Sequence, residues 1–473
     1  MLKYQFLFFL IFFYFVIFRG NIFFAEEISA GIAEYSGREI RKHWNTEIPL
    51  DQSAIKQSGI RRLESKHLIL YTDLAVSKQV DELPKLFDQL IPLLCNYFEL
   101  NPQNYETFQV EGFLIDDFEK FKTCGAVRQV PNLRNGYALR CRMWIRNQDS
   151  NYYRRHLLLH EGVHVFMGYA FGHWGPPWYR EGTAELLGTH CLENESLTLN
   201  YFPKSRYELP GWGRIDLVRG DLAKNRLRTI KDIFELESED YDENTSYGWS
   251  WAFAVFCENH PCYRTAFRRI AWNLNGVPSD IAERFRALLL KTVQSEQPEW
   301  NTQEITNHLD HDWLDFITNL DYDYDFERTR INYNKNAQPI STPETQFLIQ
   351  ADKGWQSSGI RLERGKTYCV AASGRFQLAE KPKIWYSEPN GITLRYYRGT
   401  PIGTLLATLI PDQEEHFLAK EGTAGIGFSI PQKIGLGKTW TADISGELFF
   451  RINDFPSELS DNIGNITVKI TMP

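Results

Sequence analysis

Residues 156–166 read HLLLHEGVHVF, and this stretch constrains the chain more than any other. His156, His160 and His164 recur at every fourth position of an otherwise apolar segment, in a chain that has 11 histidines in all. On a helix, residues four apart share a face, so the three imidazoles form a stripe on an element whose remaining side chains call for burial. Polar rings brought into an apolar interior need partners, and the spacing says which partner to look for.

His160-Glu161-Gly162-Val163-His164 is an HExxH element. The spacing sets both imidazoles where two positions of a tetrahedral zinc fall, with Glu161 beside them as a base for a water molecule. A third protein ligand is required. The metzincin pattern asks for Gly three residues and His six residues after the second histidine; Met167 and Ala170 stand there, and His173 is out of step. Glu181 and Glu185, in WYREGTAE, lie one turn apart on a second helix, so one is placed to bind the metal and the other to accept a hydrogen bond from a ligating imidazole. His156 is read as a supporting or helix-start residue, since two histidines, a glutamate and water already complete the tetrahedron. Gly162 costs ~1 kcal/mol relative to Ala within a helix and marks a close approach by a neighbour or substrate.

HEGVH followed by PPWYREGTAE resembles the gluzincin metallopeptidases of the peptidase MA-like branch, in which a second helix with a W-x-x-E-G-x-A-type motif supplies the glutamate ligand. The resemblance covers about residues 65–320. It implies a zinc metallopeptidase that hydrolyses peptide bonds of a peptide or protein substrate, glycosylated substrates included. His160, His164 and Glu181 are then the zinc ligands, Glu185 the partner of a ligating imidazole, and Glu161 the catalytic base. In SYGWSWAFAVF (246–256), Tyr247 occupies the place of a tyrosine that stabilises the oxyanion, a role suited to a phenol donor.

The rest of this region reads as α+β. HLILYTDL (67–74) has strand character, residues 80–98 form an amphipathic helix interrupted by two prolines, and 109–125 read as strand, turn and helix. NGYALRCRMWIRN (135–147) reads as one further strand, a candidate edge against which an extended peptide pairs. The histidine helix is expected over 152–170. Pro176 and Pro177 prepare a second helix from about Trp178, and 245–320 is mostly helical. DYDYDFERTRINYNKNAQPISTPE (321–344) lacks apolar periodicity and reads as a linker.

Beyond it, short alternating runs punctuated by Gly, Pro, Asn and Asp follow at intervals of about ten residues, the pattern of a β-sandwich. RINDFPSELSDNIGNITVKI (451–470) gathers Asp454, Glu458, Asp461 and Asn462 in one loop, oxygen donors of the kind Ca²⁺ requires. With WQSSGIRLERGKTYCVAASGRF and PIGTLLATL, this loop is similar to the calcium loop of the PA-IL-like galactose-binding lectins, over about residues 350–473. The resemblance implies Asp454, Asp461 and Asn462 as calcium ligands, with Glu458 contributing through its carbonyl, and a carbohydrate ligand. The sugar-contacting His and Gln of those lectins have no counterpart near SEPNGI (387–392), so galactose itself does not carry over.

The expected fold class is thus an α+β zincin-like peptidase domain with a helical C-terminal part, followed by an all-β sandwich. The expected division is a signal peptide or N-terminal anchor (1–25), an N-terminal segment (26–64), the peptidase domain (65–325), a linker (326–345) and the lectin-like domain (346–473). Phe6 to Phe18 form an apolar run after Lys3, shorter than the ~20 residues a membrane span needs, so export is expected, to the periplasm, the cell surface or the medium. Membrane contact is expected only through that segment if it is retained. The net charge of −8, without a basic stripe, excludes a nucleic-acid binder. Seven cysteines without a CxxC pair argue against a thiolate zinc site, and Cys257 and Cys262 are spaced for a local disulfide. The competing expectation is a catalytically inactive peptidase fold that acts through a calcium-dependent carbohydrate-binding module.

Overall fold

The computed structural model describes residues 50–274, 278–334, 337–340, 342, 344–411 and 427–472. The apolar N-terminal run lies outside the described residues; within them, no helix is long and apolar enough to cross a membrane. The chain forms two compact units, one of residues 1–201, 209–214 and 233–292, the other of 202–208, 215–232 and 293–473.

The first unit is built on a five-stranded sheet in the order β1 (Arg61–Glu64), β2 (Leu68–Thr72), β3 (Val110–Ile115), β5 (Arg142–Arg146), β4 (Gly136–Leu139). The central strands β2, β3 and β5 run parallel; β1 and β4 are antiparallel to their neighbours and close the two edges. Central parallel strands bury both faces, and LILYT, VEGFLI and RMWIR are accordingly apolar almost throughout. Residues 135–147, expected as a single strand, form the β4–β5 hairpin instead. The turn carries no Gly, Pro or Asn, and Arg140 itself takes the left-handed conformation at φ +51°.

Helix α1 (Leu83–Tyr97) tolerates Pro84 in its first turn and Pro92 within it. After the short α2 (Phe118–Thr123) comes the histidine helix α3 (Asn151–Phe171), which Ser150 caps by accepting from the Tyr153 N–H and which ends at Gly172 in the left-handed region. A Cβ at Gly162 would lie 2.6 Å from Phe87 Cε2 and 2.9 Å from Leu90 Cδ2, so this glycine is where α1 crosses α3. Helix α4 (Pro177–Gly188) starts on its proline pair, and at Gly182 its backbone approaches the next-but-one helix so closely that a Cβ would meet the Ser250 carbonyl at 2.7 Å. The hairpin β6 (His190–Glu193) and β7 (Ser196–Leu199) follows, then α5 (Arg214–Leu222), α6 (Asn244–Asn259), α7 (Pro261–Arg269) and α8 (Pro278–Glu296). Cys257, buried inside α6, forms no disulfide with Cys262.

In the second unit, α9 (Thr302–Asn319) precedes the strands. The run read as a linker is partly packed: Tyr324 is buried, and the Phe326 ring stacks on Phe316 of α9. Two sheets follow. One pairs β14 (Asn390–Tyr397), β15 (Thr400–Pro411), β18 (Gly446–Ile452), β10 (Gln356–Leu362) and β8 (Gln338–Pro339), with β16 (Gln432–Lys433) beside β15. The other pairs β17 (Gly437–Thr441), β11 (Thr367–Ser373), β19 (Asn465–Thr471) and β9 (Glu344–Gln350). Leu405, Leu448 and Phe450 of the first sheet share one buried core with Val370, Val468 and Ile470 of the second. A small ribbon of β12 (Phe376–Ala379) and β13 (Trp385–Ser387) forms a sheet of its own and packs Phe376 and Leu378 into the same core. The molecule is therefore mixed α/β at first and β-rich towards its C-terminus.

Candidate metal centre

Helix α3 presents His156, His160 and His164 along one side, and α4 presents Glu181 and Glu185 to them. His160 Nε2 and His164 Nε2 are 3.1 Å apart, and each lies 3.3 Å from Glu181 Oε2. Three ligands on a tetrahedral zinc with bonds of ~2.0–2.1 Å stand roughly 3.3 Å from one another, so this triangle has the dimensions of such a site. All three side chains are buried, and His160 Nδ1 and His164 Nδ1 have no hydrogen-bond partner among the described residues. Burial opposes the Glu181 charge, but His164, His160 and Arg180 outweigh it and hold the carboxyl well below its usual range. His160, His164 and Glu181 form a group that could hold a metal ion.

A second triad, His156, His160 and Glu185, also brings its ligand atoms within 4.8 Å of one another. It suits a cation poorly. Arg214, at the start of α5, donates to both Glu185 oxygens, from Nη2 to Oε1 at 2.7 Å and from Nε to Oε2 at 2.9 Å. A metal there would replace a satisfied ion pair and face the guanidinium charge. Glu185 instead lies 3.3 Å from His156 Nε2 and 3.5 Å from His160 Nδ1. The second distance is long for a hydrogen bond and short enough to orient the ring that supplies Nε2 to the first triad.

Glu161 projects from α3 towards β4. A Cβ at Gly136 would come within 2.2 Å of Glu161 Oε1, so the glycine is what admits the carboxyl beside the strand. Burial lifts this carboxyl to about 8, against the pull of His160 and Arg180. Because β4 ends the sheet, no strand pairs with its outer edge among the described residues. Tyr247, near the start of α6, is half-buried, its ring 6.2 Å from that of His160 and 5.0 Å from that of Tyr241. Burial, then Glu181, Glu161 and Glu185, push the phenol above its ordinary value, keeping it a neutral donor. His160, Glu161, His164, Glu181, Glu185 and Tyr247 are thus brought into one place.

Sequence reasoning passed over Arg180, Arg214 and Gly136. Arg180 stands inside the WYREGTAE motif and was open to notice; its Nε donates to Glu181 Oε1 at 2.7 Å. Arg214 has no spacing that ties it to Glu185.

In the second unit, the loop between β18 and β19 buries Asp454 and Asn462, whose Nδ2 donates to Asp454 Oδ2 at 3.0 Å. Asp461 Oδ2 accepts from the Glu380 N–H at 3.1 Å, while Asp461 Oδ1 and Asn462 Oδ1 are buried acceptors without a hydrogen-bond partner. Burial pushes the Asp454 carboxyl up to about 7, with Glu458 and Asp461 adding to the effect. Among the described residues this loop is not one of the groups in which three or more His, Cys, Asp or Glu bring ligand atoms within 4.8 Å of one another, and both Asp454 oxygens accept hydrogen bonds within the loop. The Glu458 carboxylate is engaged by Arg395 at 2.7 and 2.8 Å, which leaves its carbonyl as the group it has to offer.

Compared with known proteins, the chain matches no family model and no curated protein. Among solved structures it is similar to one described as the EclA N-terminal domain, a PllA-like lectin, with 18% identity over 27% of this chain and 95% of that one, at a TM-score of 0.21.

Proposed function

We propose that the first unit is a zinc-dependent metallopeptidase, with His160, His164 and Glu181 as the ligands. The observation that carries this reading is the triangle of two imidazole nitrogens and a carboxylate oxygen, at 3.1, 3.3 and 3.3 Å, with a buried glutamate next to it in sequence. Zinc held there supplies Lewis-acid chemistry, polarising a carbonyl and lowering the pKa of a water molecule. The chain supplies the rest. A carboxylate oxygen of Glu161 takes the proton of the attacking water and returns it to the leaving nitrogen. The Tyr247 hydroxyl donates to the oxygen that becomes negatively charged. The open edge of β4 aligns an extended peptide by backbone pairing. Glu185, fixed by Arg214, holds the His160 ring in orientation.

In the same reading the protein is exported, on the strength of its N-terminal apolar run, and the second unit tethers it to glycans or glycoproteins through calcium at Asp454, Asp461 and Asn462. A peptide-library digest read by mass spectrometry tests the activity. Glu161→Gln is expected to cut turnover by about 10²–10⁴-fold with zinc retained. Zinc binding without cleavage of any peptide in the parent protein would favour an inactive peptidase fold serving the carbohydrate-binding unit.

A further inference from the structure

We propose that Arg180 reads a free carboxylate on the substrate, so that the preferred substrates are peptides cut close to their C-terminal end. The inference rests on the peptidase reading and adds to it the substrate class.

Two guanidinium groups border the metal centre, and they differ in what they have left to give. Arg214 is buried and spends its donors on both oxygens of Glu185, the Trp212 carbonyl and the Tyr153 hydroxyl. Arg180 makes one hydrogen bond, from Nε to Glu181 Oε1, and its terminal Nη1 and Nη2 have no acceptor among the described residues. Its side chain is 30% exposed, against 8% for Glu181. Its charge is felt by Glu181 first, and also by Glu161, Tyr241 and Tyr247.

The neighbouring contacts point the same way. Glu185 is held by Arg214 through two hydrogen bonds and Glu181 Oε2 faces both imidazoles, so the outer nitrogens of Arg180 are left for an incoming anion. Two adjacent terminal N–H donors on a planar cation fit a carboxylate in fork-to-fork fashion, which a neutral amide does not reproduce. Among the described residues none of the five carboxylates of 237–243 forms an ion pair with Arg180, and Asp242 pairs instead with Arg134 at the surface.

The test uses the full zinc-loaded protein and pairs of N-acetylated peptides of one sequence, as C-terminal acid or amide. The acid is expected to be favoured in kcat/KM by about tenfold or more, and the ratio to fall to within about threefold in Arg180→Gln. Binding gives a readout without turnover: by calorimetry, Glu161→Gln should hold an N-acetyl dipeptide acid about tenfold tighter than its amide, and Glu161→Gln/Arg180→Gln should not. Should Arg180→Gln lose zinc, Arg180→Lys takes its place, keeping the charge without the fork, and should lose most of the preference. Acids and amides cleaved alike by the parent, or a preference that survives both substitutions, overturns the inference and leaves the peptidase reading standing. Cleavage of neither removes both.

Discussion

Neutralising Glu185 removes one half of a buried ion pair, and the structure sets the scale of the loss. Glu185 and Arg214 are 1% and 6% exposed, and two hydrogen bonds of 2.7 and 2.9 Å join them. Breaking such a pair from one side strands a charge away from water and costs about 3–5 kcal/mol. Glu185→Gln belongs at the low end, about 3 kcal/mol, because the amide keeps one oxygen for the guanidinium. Arg214→Met leaves a carboxylate facing His156 and His160 and should cost a similar amount. The double variant strands neither charge, so its loss should fall below the sum of the two by about 2 kcal/mol or more. Urea unfolding in EDTA reads the cycle through near-ultraviolet dichroism, for which Trp212 and Trp251, edge-to-face at 4.7 Å, are a local reporter. Costs that simply add in the double variant would show that the two side chains do not act as a pair and would refute the account of Arg214.

Two further expectations concern the second unit. Burial lowers His311 to about 3 and His308 to about 4, both below the ~6.5 of an unfolded histidine. These two rings exclude protons that the unfolded chain binds, so their share of the stability is complete above about pH 6.5 and is lost as pH falls towards 4, outweighing the opposite contribution of Asp454, lifted to about 7, over the same window. The urea midpoint should drop over that window, and less steeply in His311→Gln; a flat profile would contradict it. Calcium should raise the melting temperature of the parent protein and not that of Asp454→Ala or Asn462→Ala. An equal rise in all three would remove the loop as the binding place.

The candidate metal centre was legible in the sequence because its residue types repeat at the period of the helix. His160 and His164 are one turn apart, as are Glu181 and Glu185, and the capping Ser150 and the proline pair mark where both helices begin. What the spacing left open, which glutamate meets both His160 Nε2 and His164 Nε2, depends on Arg214, a residue that reaches Glu185 from far along the chain and leaves no periodic trace. The β4–β5 hairpin was hidden because its turn uses Arg140 where a glycine or asparagine would have announced it. Residues 321–334 read as a spacer because aspartates, arginines and asparagines surround Tyr324, Phe326 and Tyr333, rings that pack. The reason for Gly162 could be narrowed only to a close approach; the coordinates name Phe87 and Leu90 as the neighbours.

The central claim is that His160, His164 and Glu181, rather than His156, His160 and Glu185, bind one zinc. Zinc per chain by mass spectrometry, after equilibration with a metal buffer, tests it on the parent protein, His164→Ala and His156→Ala. The account predicts one zinc in the parent, one in His156→Ala and none in His164→Ala. No zinc in the parent, or zinc that survives His164→Ala and disappears with His156→Ala, would contradict it.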